Sequence, residues 1–425
     1  MKKKIILLLL LAAFSVSSLS SCLLLTGDGL LEGMYNQNDE GGDKIINVEG
    51  GDVYDNINIS TDSSSSLLAA SKAILSAVSV ICTFKEPTYS FMGSQTGTKE
   101  TASAGSGVIY DLDKDKGDAY VITNYHVVYN SKSITDDGIS DSIKLYLYGM
   151  EMMTSEKETY AIDAKYVGGS MMYDIAVLKV EESDVLMASN ARAADIGNSD
   201  EVTVLDTAIA VGNPGGGGLS ATVGYINVDS EEITVAFETD GAQVGVELRV
   251  MRTDAAVNSG NSGGGLFNDK GELIGIVNAK SSDTAEENIG YAIPSNVAVA
   301  IAENAIDYSD GSIWRCMLGV TVGVKSYSTK YDLETGKIRK LETVVVTDIG
   351  KGAAVEGVLE VGDVINSISI NGKKIEVTRI HHVVDSMLYA RVGDSVTISV
   401  TRGEQTFDKV LPITDSMLKN WRMPS

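Results

Sequence analysis

Hydrophobic residues along most of this chain come in short runs broken by Gly, Asn, Asp and Ser. Residues 107–110, 119–123, 143–147, 175–180, 207–211, 221–226 and 273–277 are such runs, rich in Val, Ile and Tyr. They are too short for helices and predict strands, and many short strands separated by turn residues argue for a sandwich or barrel rather than alternating α/β. A helix is expected over 295–306, with Ser295 as its cap and Val297, Ala300, Ile301 and Ala305 on its apolar face. A second unit is expected from about residue 313, with strands at 344–346, 364–368 and 395–400 and a helix over 378–389. Its length of roughly 100 residues suits one small domain.

The amino-terminal pattern is different. Lys2, Lys3 and Lys4 precede an apolar stretch over 5–14, and small residues lead to Leu19-Ser20-Ser21-Cys22. This is secretory signal architecture, and its last four residues resemble a bacterial lipobox in which Cys22 is lipidated and anchors the mature chain to a membrane. The alternatives are an ordinary signal peptide, giving a secreted or periplasmic protein, and an uncleaved signal anchor continuing through Leu23, Leu24 and Leu25. Between residues 26 and 66 nine acidic residues accompany a single Lys without periodicity, so 23–69 reads as a disordered, self-repelling tether.

Composition narrows the function. A chain of 425 residues, 44% hydrophobic and 22% charged, holds two or three domains with real cores. With 34 basic against 58 acidic residues the net charge is −24, which disfavours nucleic acid as a partner. Three Cys exclude a disulfide-dense scaffold and a four-cysteine zinc site. Cys82 and Cys316 each read as a small buried hydrophobe. Three His leave imidazole chemistry few places to be.

One of them, His126, follows Thr123-Asn124-Tyr125 and is the only His before residue 381. Asp174 stands directly before the apolar run 175–180. Ser262 sits in Asn258-Ser259-Gly260-Asn261-Ser262-Gly263-Gly264-Gly265, where glycines permit a tight turn and a close substrate approach. Taken singly, each has a bland explanation: a structural imidazole, a turn aspartate, a glycine-rich turn. Together, in the order His, Asp, Ser at spacings of 48 and 88 residues, they allow His and Asp on one six-stranded barrel and Ser on another. The chemistry is then acyl transfer, with Ser262 as nucleophile, His126 as base and acid, and Asp174 orienting the imidazole. Backbone N–H groups across Gly260, Asn261 and Ser262 are the expected oxyanion donors.

The motifs Thr-Asn-Tyr-His-Val-Val, Asp-Ile-Ala-Val-Leu-Lys-Val, Ala-Val-Gly-Asn-Pro-Gly and Thr-Asp-Ala-Ala-Val-Asn-Ser-Gly-Asn-Ser-Gly-Gly, with Gly290-Tyr291-Ala292-Ile293-Pro294-Ser295-Asn296 after them, resemble the HtrA/Deg family over about 75–415. The resemblance implies a mostly β protein: a chymotrypsin-like double β-barrel protease domain over 70–308, a small α+β PDZ domain over 313–415, and a tail over 416–425. It implies that Met317, Leu318, Gly319 and Val320 form the loop receiving peptide C-termini, and that substrates are unfolded or misfolded envelope proteins. It further implies a homotrimer or larger assembly, for which Phe84, Tyr89 and Phe91 are candidate contacts. The specificity pocket is expected near Asp254–Ala256 and residues 276–279. No ATP motif or metal cluster appears in the sequence, so no metal and no cofactor is expected, and His381 and His382 read as solvated or groove-lining. The second reading is a chaperone or scaffold that binds unfolded peptides on the same fold. Three departures from the family pattern are Ser259, where Pro is frequent, Gly265, where Pro or Ala is common, and the run Gly215–Gly218, expected to make its loop poorly ordered.

Overall fold

The computed structural model describes residues 65–91, 93–150, 160–239, 241–278, 289–308 and 310–423. The expected signal sequence, Cys22 and the tether as far as residue 64 lie outside them. The expected strands form, and two rings of them build the first part of the molecule.

The first ring contains β1 (Ala77–Tyr89), β2 (Gln95–Asp113), β3 (Asp118–Thr123), β4 (Ser142–Leu147), β5 (Ile162–Ser170) and β6 (Ile175–Val180). They close as a barrel in the order β1-β2-β3-β6-β5-β4. Alternation explains the closure: Val78, Val80, Cys82 and Phe84 on β1 all enter one core. Phe84 is therefore core rather than an assembly contact, while Tyr89 and Phe91 remain exposed. The Cys82 thiol is pushed up to about 12 by burial, and Cys316 to about 11; both cysteines are free and buried, as expected.

The second ring uses β7 (Asp195–Ile196), β8 (Thr207–Gly212), β9 (Ser220–Thr239), β10 (Ala242–Thr253), β11 (Gly265–Phe267), β12 (Glu272–Asn278) and β13 (Gly290–Pro294). The sheet runs β11-β8-β9-β10-β13-β12-β7, and β11 also pairs with β12, which closes six of the seven strands on themselves. The long hairpin β9–β10 overshoots this ring. Near its tip Val235, Phe237, Val246 and Leu248 are buried in the cluster that fills the first barrel.

Two helices differ from expectation. Ser65–Ile74 is helical although residues 65–69 were assigned to the tether. Ala69 and Ala73 are buried, so apolar packing begins before the acidic composition has fully given way. Ser295–Asp307 is helical as expected, but Pro294 holds the cap position with no side-chain cap bond. Strand β13 runs into the helix without a loop, and Ser295 Oγ instead donates to Gly197 O at 2.8 Å.

The C-terminal part contains β14 (Trp314–Cys316), β15 (Val320–Tyr331), β16 (Ile338–Ile349), β17 (Val364–Ile370), β18 (Lys373–Glu376), β19 (Ser395–Arg402), β20 (Gln405–Pro412) and β21 (Leu418–Asn420). The sheet order is β15-β16-β17-β19-β20, with β18 beside β17, over a separate core that includes Leu318, Val346, Ile368 and Ile398. The expected helix is shorter than its pattern, Ile380–Ser386 followed by a 3-10 turn at Met387–Tyr389.

Residues Thr61–Ser425 form one compact unit. Inside it, ion pairs join the second ring and the loop before β8 to the C-terminal part: Arg249 to Asp385 at 2.5 Å, Asp229 to Arg379 at 2.9 Å and Asp206 to Lys337 at 2.7 Å. Part of the stretch expected to be a tail, Leu418–Asn420, is a strand, because β21 pairs with β14. Beyond it, Ser170 Oγ donates to Trp421 O and Met171 N–H donates to Arg422 O at 2.7 Å. The C-terminal segment thus reaches the turn between β5 and β6. Among the described residues no helix is long and apolar enough to cross a membrane.

Candidate active site

Three loops position the chemistry-bearing residues. His126 lies in the short helical turn Tyr125–Val128, directly after β3. Asp174 ends the tight turn between β5 and β6, where its N–H bonds Met171 O at 3.2 Å. Its φ of 49° is left-handed, a conformation that Asp adopts more readily than most residues. That turn aims the carboxylate back at His126.

The contact is tight. His126 Nδ1 and Asp174 Oδ2 are 2.7 Å apart, and the His126 backbone N–H donates to Asp174 Oδ1 at 2.9 Å. Asn278 Nδ2 donates to Asp174 Oδ2 at 2.9 Å, and Asn124 Nδ2 to Asp174 O at 2.8 Å. Asp174 is fully buried. A carboxylate there is tolerable because three donors reach its oxygens, whereas an unpartnered buried charge costs several kcal/mol. With its Nδ1–H held by the carboxylate, the imidazole presents Nε2 as a base.

Ser262 lies on the turn before β11 and is buried to 7% exposure. Its carbonyl accepts from Ser106 N–H at 2.8 Å. Gly105 separates it from the histidine turn: a Cβ there would lie 2.9 Å from Ser262 O and 2.7 Å from a Val127 methyl. The Ser262 turn and the His126 turn are therefore neighbours, although Ser262 Oγ makes no hydrogen bond among the described residues.

Of the three expected oxyanion donors, Asn261 N–H is engaged with Asn258 O at 3.0 Å, while the N–H groups of Gly260 and Ser262 have no acceptor among the described residues. Two free amides two residues apart are available to a developing negative charge. Gly260 has φ 99°, and a Cβ on it would collide with Asn213 O. Its carbonyl accepts from Ser106 Oγ at 2.7 Å, and Ser106 Oγ accepts from Asn213 N–H at 2.8 Å. The glycine run has a related cause: Gly215, Gly216 and Gly218 all have positive φ. The loop is nonetheless tied by Gly215 N–H to Ser259 O at 2.9 Å and by Gly218 N–H to Asn213 Oδ1 at 2.8 Å.

A cleft of about 310 Å³ opens beside His126, walled by Phe84, Ala102, Tyr129 and Phe237. In the region expected to form the specificity pocket, Asp254 Oδ1 accepts from Tyr225 N–H at 2.6 Å, while Ala255 and Val277 are buried; Ala279 lies outside the described residues. Of the expected peptide-receiving loop, Met317 N–H bonds Met417 O at 2.7 Å, while the N–H groups of Leu318 and Gly319 have no partner among the described residues. Val320 opens β15, which is an edge strand.

Sequence reasoning passed over Asn278, Asn124 and Ser106. Each has a visible signal: a polar residue closing the apolar run 273–277, an Asn two places before the histidine, and a Ser between two glycines.

Residues 105–276 match the family described as a trypsin-like peptidase domain. The serine protease Do-like HtrA of Bacillus subtilis (strain 168) is 31% identical over 332 residues, 76% of this chain and 66% of that protein. The protein of the same description from Lactobacillus helveticus is 32% identical over 326 residues, 74% of this chain and 69% of that one. The one from Lactococcus lactis subsp. cremoris (strain MG1363) is 30% identical over 399 residues, 88% of this chain and 89% of that one. Likeness at this level runs through both rings and into the C-terminal sheet, and with it the chain belongs to the HtrA family of trypsin-like serine proteases and is a serine endopeptidase.

Proposed function

We propose that this endopeptidase cleaves unfolded or misfolded envelope proteins without ATP, through a triad of Ser262, His126 and Asp174, and that residues 313–415 are a PDZ domain binding peptide C-termini to recruit substrate or regulate cleavage. The carrying observation is the 2.7 Å pair of His126 Nδ1 and Asp174 Oδ2, next to a serine turn with two free amides. Ser262 Oγ attacks the scissile carbonyl carbon, and its proton passes to His126 Nε2. Asp174 keeps the imidazole in the tautomer that can accept this proton and stabilises the imidazolium. The carbonyl oxygen becomes an oxyanion held by the Gly260 and Ser262 N–H groups. Collapse expels the amine, which takes the proton from Nε2, and water then hydrolyses the acyl-enzyme by the same steps in reverse. The Ser262–His126 hydrogen bond forms as substrate fills the cleft, since such bonds commonly tighten only in the substrate complex.

Free N–H groups at Leu318 and Gly319 beside edge strand β15 support carboxylate capture followed by strand addition. The amino-terminal pattern supports a location outside the cytoplasm with Cys22 as the lipid anchor. Assembly as a homotrimer or larger oligomer is part of the same reading, with the exposed Tyr89 and Phe91 as contacts.

The test is cleavage of unfolded casein by the chain from Thr61, with and without a peptide ending in hydrophobic residues. Cleavage that the peptide accelerates is the expected result. Absent cleavage, with suppressed aggregation of the substrate, would favour the chaperone reading. A separate expectation concerns the oxyanion donors. Gly260→Ala should lower kcat by about 100–1000-fold or more, the usual loss for one such donor, because a side chain cannot enter beside Asn213 O. Steady-state kinetics alongside a thermal melt separates this from unfolding.

A further inference from the structure

The cavity where the second ring meets the helix Ile380–Ser386 holds Asp200, His381 and His382, each with one ligand atom within 4.8 Å of the others'. His382 is only 6% exposed. Its Nδ1 lies 2.8 Å from Glu376 O, which can only accept, and 3.3 Å from Thr378 N, whose N–H also reaches Glu376 O at 3.1 Å; the shorter contact assigns the hydrogen of the neutral ring to Nδ1. Nε2 is then a lone pair. It is buried without any hydrogen-bond partner and faces Asp200 Oδ1 across 3.9 Å. Two electron-pair donors turned toward each other, too far apart for a hydrogen bond, leave a place for an electrophile between them.

We propose that Asp200 Oδ1 and the ring nitrogens of His381 and His382 bind one divalent transition cation of the zinc type. Two imidazoles and a carboxylate favour such an ion over calcium or magnesium, which prefer all-oxygen sites. The His382 Nδ1–H bond to a backbone carbonyl is the usual support behind a ligating imidazole. In a tetrahedral zinc site with bonds of about 2.0–2.1 Å the ligand atoms stand roughly 3.4 Å apart, so modest side-chain rotation closes the site. The cavity holds about 40 Å³, room for the ion and a water in the remaining position. Arg249, Arg339, Lys340 and Arg379 line the same cavity; Asp385 pairs with Arg249, Glu342 with Arg379, and Asp229 with both Arg379 and Lys340.

This reading departs from the sequence expectation that no metal binds and that the two histidines are solvated. Asp200 belongs to the turn after β7, whereas the histidines belong to the C-terminal part, so the ion ties these two parts together. The chemistry of peptide cleavage is not involved.

Equilibrium dialysis of the full chain against zinc chloride tests the site. Replacing His382 removes a buried hydrogen bond and risks misfolding, so the variants are Asp200→Asn and His381→Gln, with Glu201→Gln as control. One zinc per chain is expected for the wild type and for Glu201→Gln. Each ligand variant should bind at least about 10-fold more weakly, since even partners behind the ligands are worth that much. Equal zinc binding in all four proteins would overturn the site. So would no binding in any of them, which would leave Asp200 and His382 as a plain long-range pair.

Discussion

Ser262→Ala is expected to reduce casein cleavage by about six orders of magnitude, the scale of loss when a triad serine is removed, with no loss of stability. The geometry separates the two effects. The structural bonds of this turn use its main chain: Ser262 O accepts from Ser106 N–H at 2.8 Å, and Gly263 N–H donates to Val277 O at 2.9 Å. The hydroxyl makes no hydrogen bond among the described residues. Removing Oγ therefore deletes the nucleophile and leaves the two free amides where they are. Cleavage assays paired with thermal unfolding of the variant check this. Cleavage at the wild-type rate would move the nucleophile to another residue.

Asp174→Asn should cost about four orders of magnitude in kcat, by a route that also leaves the fold intact. Asn is comfortable at the left-handed φ of 49°, so the turn survives. The amide, however, has one acceptor oxygen where the carboxylate has two. The Asp174 carboxylate receives His126 N–H at Oδ1 and both His126 Nδ1 and Asn278 Nδ2 at Oδ2. If the oxygen keeps the backbone N–H, the NH2 group faces those last two donors. His126 must then accept at Nδ1 and carry its hydrogen on Nε2, where it cannot take the serine proton. Asp174→Ala, by comparison, should also lower the melting temperature, because Ala is strained at that φ. Equal activity of Asp174→Asn and wild type would refute the orienting role.

The strands and the three chemistry-bearing residues were legible because their signals are local. A run of Val and Ile reports its own burial, and glycines around Ser262 report a turn that side chains would block. What was not legible depended on partners far along the chain. Ser295 has the composition of a cap, yet its hydroxyl bonds Gly197 O, 98 positions away. Asn278 supports Asp174 across 104 positions; its place at the end of an apolar run marks it as unusual without naming that partner. Asp200 and His382 lie on different parts of the fold, so no spacing rule joins them. The helix Ser65–Ile74 was hidden by the acidic, serine-rich segment before it, whose composition dominates any local window.

The return of the C-terminal segment to Ser170 and Met171 has a consequence for biosynthesis. Ser170 and its partner Trp421 are 251 positions apart. At roughly 5–20 residues per second, about 10–50 s pass between translation of the turn that carries Asp174 and translation of the segment that braces it. The second ring is complete in sequence only at Pro294, about halfway through that interval, and until its end the aspartate turn lacks two of its hydrogen-bond partners. A prematurely terminated chain thus carries both rings without the brace on the turn that holds Asp174.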